Sequence, residues 1–154
     1  MSVATLTNRL VTHQLTIQTE RAPQFIDLTE RVQHIVRQSG VQHGQAVVFT
    51  RHTTAAIRIN ENEPELMRDF VAFLEKVAPV DHPYYHNDFT VRTVNMTDEE
   101  CANAHAHCRH LLMATSETIP IIDGELCLGT WQRVFLVELD HARERSIVIQ
   151  VWGQ

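Results

Sequence analysis

The sequence predicts an α+β fold in which helices pack on one face of a mostly antiparallel sheet. Apolar residues recur at helical spacing in two long stretches, and short apolar runs of strand length stand between and after them. Four of those runs follow one another at the end of the chain, which favours antiparallel pairing. A doubly wound parallel fold fits this order poorly, and the sequence contains neither a GxGxxG nor a P-loop motif.

The first third of the chain is predicted to be a strand, a helix and two further strands. Residues 10–19 alternate loosely in polarity, as a strand does. Residues 25–38 place their apolar side chains largely on one helical face, and Gly40 follows as a suitable end. Short strands are predicted at 45–51 and 53–60.

Two more helices are predicted around a polar loop. Asn62 with Glu65 three residues later is a capping-box-like start for a helix that reaches residue 77. Residues 79–89 are irregular and polar, and loops of this composition often carry function. A second capping box at residue 97 predicts a helix over 97–113.

The chain closes with a hairpin and two strands. Asp123-Gly124 is a strong turn signal between the apolar halves of 119–128. Strands follow at 131–139 and 146–152, and the centre of the first is apolar on both faces. Such a strand needs cover on both sides, from a helix layer or from a neighbouring subunit.

Length and charge limit the domain count and the partners. The chain has 154 residues and no repeat or linker, which predicts a single domain over 1–154. The net charge of -6 argues against nucleic acid and against an anionic membrane, since both attract clustered Lys and Arg. Residues 1–13 lack the apolar core of a signal peptide, and three cysteines, an odd number, favour a reducing compartment. A cytoplasmic protein is therefore expected.

Ten histidines are the unusual part of the composition. His52 is followed by small and hydroxylated residues that leave room for a ligand, and His86 lies in the polar loop; a strand-end and a solvated histidine are the alternatives. His105 and His107 lie near opposite edges of the apolar stripe of the third predicted helix, and the pattern does not choose between them.

A few polar residues near these histidines have no evident structural role. Unlike its neighbours, Glu61 has no role at the start of the following helix. It is therefore a candidate general base or a hydrogen-bond partner to a histidine. Asp88 beside His86 is similar. Gln132 stands on an apolar strand and, if buried, must bond to backbone or ligand. The Cys101, His105 and Cys108 spacing matches no zinc finger.

Taken together, six motifs in order resemble the YjbQ-like family, often labelled secondary thiamine-phosphate synthase, over nearly the whole chain. They are His52-Thr53-Thr54-Ala55-Ala56, Asn60-Glu61-Asn62-Glu63, Tyr85-His86-Asn87-Asp88, Asn103-Ala104-His105-Ala106-His107, Ser116 with Ile119-Pro120, and Leu128-Gly129-Thr130-Trp131-Gln132. Two departures concern backbone shape: Ala114 stands at a usual glycine, and His141-Ala142 replaces a Gly-Pro-like pair before Arg143.

The resemblance implies a homotrimer with a divalent metal, zinc, bound by three histidines: His52, His86 and His107. It also implies Glu61 and Asp88 as catalytic groups. Substrate-binding residues are implied at Thr53, Asn60, Ser116, Thr130, Gln132 and Arg143. Three neutral imidazoles would leave an open coordination position, as in catalytic zinc sites.

The function expected from the resemblance is a metal-dependent enzyme acting on a small phosphorylated metabolite, with thiamine-phosphate-synthase-like activity. The residues are equally compatible with a hydrolase that uses a metal-bound hydroxide. The alternative is a non-catalytic, trimeric metal- or anion-binding protein with a regulatory role.

Overall fold

Eight strands and three α-helices make up residues 8–154, the part of the chain that this computed structural model describes. Part of the segment inspected for a signal peptide, residues 1–7, lies outside the described residues. A short 3₁₀ turn covers Tyr85–Asn87. In chain order the elements are β1 Arg9–Gln18, β2 Gln24–Asp27, α1 Thr29–Ser39, β3 Gly44–Thr50, β4 Ala55–Glu61, α2 Pro64–Val77, α3 Ala104–His110, β5 Ser116–Ile122, β6 Glu125–Leu126, β7 Gln132–Glu138 and β8 Glu144–Gly153.

The strands form two antiparallel sheets. The larger sheet has the order β1-β8-β3-β5-β6 and the smaller has β2-β7-β4, and neighbouring strands in both run antiparallel. The α+β class and the antiparallel pairing are confirmed. The division into two sheets was not predicted.

Strand β7 is buried on both of its faces. Val134 and Leu136 belong to the main core, which also contains α1 and the inner side of the larger sheet. Phe135 and Val137 face the other way and pack in a second core with residues of α2 and α3. The prediction that this strand is covered on both sides is confirmed, and the cover comes from within the chain.

The predicted helix over 25–38 is wrong in its first turn. Phe25 and Ile26 pair with β7 as part of β2, and their side chains pack against different cores, Ile26 against the main one and Phe25 against the second. The helix begins at Thr29, whose backbone N–H donates to Asp27 Oδ1 at 2.9 Å. A strand only four residues long has no periodicity that sequence patterns can detect.

The predicted helix over 97–113 is also too long. Glu100 does accept hydrogen bonds from Thr97 N at 3.3 Å and Thr97 Oγ1 at 3.2 Å, but it also accepts one from Arg92 Nη1 at 2.7 Å, and no helix follows. Instead α3 begins at Ala104, whose N–H donates to Asn87 Oδ1 at 3.0 Å. The polar loop therefore positions the helix that carries His107.

The remaining elements agree more closely with expectation. Helix α2 begins one residue later than the predicted cap, because Glu63 rather than Asn62 accepts from the first free N–H groups. The hairpin turn is present: Asp123 and Gly124 have φ of 53° and 76°, as a two-residue turn with two left-handed positions requires. In residues 8–154, no helix is both long and apolar enough to cross a membrane.

Candidate active site

A polar cavity of about 540 Å³ lies where four segments of the chain meet. The turn between β3 and β4 supplies residues 51–54, and the polar loop supplies His86. The segment leading into α3 and the helix itself supply the stretch 92–107, and the turn between β7 and β8 supplies residues 140–145.

Three of the ten histidines line this cavity: His52, His86 and His107. The rings of His86 and His107 are neighbours, with centroids 4.8 Å apart and planes inclined by 66°. His105 is 6% exposed and does not line the cavity. Between the two helix histidines that the pattern left open, the structure therefore brings His107 to the cavity.

The local environment favours the uncharged form of two of the cavity rings, His52 and His107. Burial lowers the pKa of His107, and the neighbouring His86 acts in the same direction. Burial also lowers the pKa of His52, with a further contribution from the positive charge of Arg145. Neutral imidazole is the form that binds metals, because protonation removes the lone pair.

The hydrogen bond made by His52 fixes its tautomer. Its Nε2 accepts from the backbone N–H of Ser146 at 2.9 Å, so a neutral ring carries its proton on Nδ1. In this orientation His52 offers a ligand an N–H donor. Binding a metal through either nitrogen requires the ring to give up the Ser146 bond or to move its proton.

The three histidines share a cavity but do not form a closed metal site. In residues 8–154, their ring nitrogens do not all lie within 4.8 Å of one another. A tetrahedral zinc ion with bonds of roughly 2 Å needs ligand atoms about 3.3 Å apart. The rings of His86 and His107 are neighbours, whereas His52 Nε2 is already bonded to Ser146 N. The three-histidine metal site stays a prediction.

A second set of ligand-type atoms does converge at the edge of this cavity. Cys101 Sγ lies 4.0 Å from Asp140 Oδ1, and His141 Nδ1 lies 2.9 Å from the same oxygen. Arg143 already occupies one side of this group, with Nη2 3.2 Å from Cys101 Sγ and Nε 2.9 Å from Asp140 Oδ2. Its positive charge disfavours a cation there.

Asp140 is the buried carboxylate of this group, with its side chain 3% exposed. Burial alone would raise the pKa of Asp140. Hydrogen bonds from Asn103 and His141, together with the charge of Arg143, outweigh burial and lower that pKa. Asp140 is therefore ionised at neutral pH and holds Arg143 at the cavity wall.

The turn that carries these residues is built around Glu138, which is fully buried. Its carboxylate accepts from the backbone N–H groups of Leu139 and Asp140, both at 3.0 Å, and from Thr19 Oγ1 at 3.0 Å. Two hydrogen bonds from the buried Arg145 guanidinium neutralise its charge. Glu138 thereby fixes the shape of the wall that runs from Asp140 to Arg145.

Five of the residues implied by the resemblance line the cavity, namely His52, Thr53, His86, His107 and Arg143. The other six do not line it. Glu61 and Gln132 are paired across β4 and β7, at the opposite end of β4 from His52, and Asn60 and Thr130 lie next to them in sequence. A seven-residue strand spans about 20 Å, so this second group does not reach the cavity within one chain.

The second group has local roles that the sequence did not show. Gln132 is exposed rather than buried, and its Oε1 accepts from Gly129 N at 2.8 Å. Asn60 lines a small apolar cavity beside Phe70 and Phe73.

The last two implied residues lie closer to the cavity but do not line it. Asp88 accepts from Thr90 N at 3.0 Å and Thr90 Oγ1 at 2.6 Å, and these bonds lower its pKa. Ser116 lies at the start of β5, paired with Phe49 near the end of β3. Asp88 therefore shapes the loop after His86.

Several cavity residues were missed by sequence reasoning. Arg51, Arg92 and Cys101 line the cavity, and nothing in their spacing marks them. Arg51 directly precedes the His52 motif, and this adjacency is the one signal that was available.

Comparison with known proteins decides the family. Residues 13–154 match the family model described as UPF0047 protein YjbQ-like. The chain belongs to the YjbQ-like (UPF0047) family. It is 40% identical to a UPF0047 protein of Methanothermobacter thermautotrophicus, with 93% of this chain and 92% of that protein covered. It is 34% identical to one of Archaeoglobus fulgidus, with 89% and 98% covered.

Solved structures of similar proteins show the same YjbQ-like fold. A YjbQ-like protein of unknown function from Sulfolobus solfataricus matches with a TM-score of 0.85 and 32% identity, over 96% of this chain and all of that one. An uncharacterized yjbq/upf0047 protein from Clostridium acetobutylicum matches with a TM-score of 0.79 and 38% identity, over 90% and 98%. These names state no reaction, so the likeness establishes family and fold and leaves the activity to be argued from the site.

Proposed function

We propose that this YjbQ-like protein is an enzyme that binds a small phosphorylated metabolite in the polar cavity and uses a divalent metal ion. The histidine nitrogens available as ligands favour zinc as that metal. One observation carries the proposal: histidines from three remote segments line one cavity together with four arginines. Nitrogen ligands suit zinc, and guanidinium groups suit phosphate.

The proposed ligands are His86 and His107, with His52 completing the set after its ring rotates. A metal bound there would polarise a phosphate oxygen or lower the pKa of a bound water. Because burial lowers the pKa of His52 and His107, both rings are neutral at pH 7 and bind without first losing a proton.

Two reactions are proposed for the first screen. One is the thiamine-phosphate-synthase-like reaction, in which a thiazole phosphate is joined to the pyrimidine of a pyrimidine diphosphate and diphosphate leaves. The other is hydrolysis of a phosphate ester. A cytoplasmic location is part of the proposal, supported by three cysteines that are all free thiols.

We also propose a homotrimer as the working form, and the split of the implied site residues supports it. The group around Glu61 and Gln132 lies about 20 Å from the His52 end of β4 within one chain. In a trimer, the Glu61 and Gln132 group of one chain can lie at the cavity of the next chain. The two groups of implied site residues would then form one site.

An uncharged sheet face offers a surface for that assembly. Between the Thr16–Ser146 pair and Trp152, the outward positions of β1, β8, β3 and β5 carry only apolar, hydroxyl and amide side chains. Leu10 is 63% exposed there and Trp152 is 48% exposed. Exposed faces of this kind commonly mark protein–protein contacts.

Metal content tests the metal site. Elemental analysis of the purified protein is expected to give about one zinc per chain, and His86→Ala and His107→Ala are each expected to lose it while remaining folded. His34→Ala, on the exposed side of α1, is the matched control and should keep the metal. Full metal content in both cavity variants would refute the ligand assignment.

Mixed assemblies test the trimer and the shared site together. Sedimentation should give about three chains, and a clean monomer would refute the assembly. On a substrate found in the screen, His107→Ala and Glu61→Gln should each be inactive alone. Refolding them together should restore part of the activity if one chain supplies the histidines and its neighbour supplies Glu61. No recovery would place all the catalytic groups in one chain.

A further inference from the structure

Arg51 differs from the other three arginines that line the cavity. Arg92 pairs with Glu100 at 2.7 Å, Arg143 lies 2.9 Å from Asp140, and Arg145 is bonded to the buried Glu138. In the described part of the chain, the Arg51 guanidinium has no carboxylate within 4.0 Å and makes no side-chain hydrogen bond. Its five N–H donors are therefore available to a ligand.

The paired arginines cannot easily take this role. Turning Arg145 towards a ligand would leave Glu138 buried with an uncompensated charge, which is strongly unfavourable. Arg143 is held by Asp140, whose side chain is 3% exposed, and by the Cys101 sulfur. These two arginines serve to shape the cavity wall.

The backbone at Arg51 is held in place by the neighbouring strand. The residue follows β3 directly, and its N–H faces Ser146 O of β8 at 3.5 Å, so both flanking strands fix its position. Two residues further along the chain, Thr53 is exposed and also lines the cavity.

We infer that Arg51 binds the phosphoryl group of the cavity's ligand, with the Thr53 hydroxyl as a neighbouring donor. A phosphoryl group has three terminal oxygens, so a guanidinium fork plus a single hydroxyl donor matches its acceptors better than it matches the two oxygens of a carboxylate. The inference rests on the proposed function, because it names the residue that selects phosphorylated substrates.

Inorganic phosphate is the probe that tests it. Isothermal titration of the protein as purified gives the reference dissociation constant. Arg51→Gln should weaken phosphate binding by roughly 10- to 100-fold, the usual worth of a charged hydrogen-bonded pair. Arg51→Lys keeps the charge but loses the fork, so its loss should be smaller.

A matched control separates a specific contact from net charge. Arg31→Gln makes the same change in charge at another exposed arginine without an ion pair among residues 8–154, on α1, and should leave phosphate binding unchanged. Zinc content should equal that of the wild type in every variant, which shows that the neighbouring His52 is undisturbed.

The outcomes distinguish this inference from the proposed function. If Arg51→Gln binds phosphate as tightly as the wild type while metal and turnover persist, the assignment of Arg51 is wrong and the enzyme proposal stands. Equal weakening in Arg31→Gln would also overturn it. A wild-type protein that carries zinc but binds no phosphate would overturn both the assignment and the phosphorylated substrate class.

Discussion

The buried pair of Glu138 and Arg145 is expected to be the most sensitive polar contact in the protein. Glu138 is fully buried, and the Arg145 side chain is 4% exposed. Arg145→Met removes the two hydrogen bonds from the guanidinium and leaves a carboxylate that still accepts from Thr19, Leu139 and Asp140 but has lost its counter-charge.

Leaving one charge of a buried pair uncompensated costs about 3–5 kcal/mol. For a chain of this length, each kcal/mol lowers the melting temperature by about 2–4 °C, so the midpoint should fall by about 6–20 °C. Urea unfolding followed by circular dichroism measures the free energy directly.

The double variant Glu138→Gln with Arg145→Met is the decisive control. It removes both charges and keeps an amide oxygen for the backbone N–H groups of Leu139 and Asp140, so it should be more stable than Arg145→Met alone. A loss below about 1 kcal/mol in the single variant, or no recovery in the double variant, would refute the reasoning.

Two further predictions concern the pH dependence and the packing. Burial lowers the pKa of His105, so this histidine binds a proton more readily in the unfolded chain than in the folded one. Its contribution to the free energy of unfolding should therefore be fully present above the ordinary histidine pKa of about 6.5 and should be lost as the pH falls below that value. His105→Gln should flatten the slope of unfolding free energy against pH between about 6.5 and 5, and an unchanged slope would exclude His105 as its source. Gly44→Ala should strongly destabilise the larger sheet, because the new Cβ would lie 2.1 Å from the backbone oxygen of Trp152, whereas Gly129→Ala meets only a side-chain oxygen at 3.4 Å. Equal melting temperatures for these two variants would contradict the packing argument.

Most elements of this fold could be predicted from sequence, but strand β2 and the start of α3 could not. The pattern predicts helix α2 and strand β1 because their side chains recur or alternate over many residues, and it predicts β7 as an apolar run. The sequence pattern does not separate strand β2 from the helix after it, because Phe25 and Ile26 suit either periodicity and only pairing with β7 decides. The capping-box sequence before α3 predicts a helix, but in the structure its contacts form without a helix directly behind them.

The sequence also does not determine which side chains face the candidate site. His52 and His86 could be singled out from their neighbours, while the choice between His105 and His107 depended on which side of a seven-residue helix faces the loop. Arg51 and Arg145 look alike in sequence. Their roles differ because Arg145 lies opposite a buried carboxylate and Arg51 does not. Only the tertiary contacts determine this difference.

Strand β7 links the stability of the two cores to the shape of the cavity. Because its side chains fill both cores, detachment of either helix layer would expose one face of this strand. The amides of Phe135 and Leu136 should thus exchange with deuterium only on global unfolding. The turn that bears Asp140 and Arg143 emerges from this slow-exchanging strand, which gives the binding surface a rigid foundation.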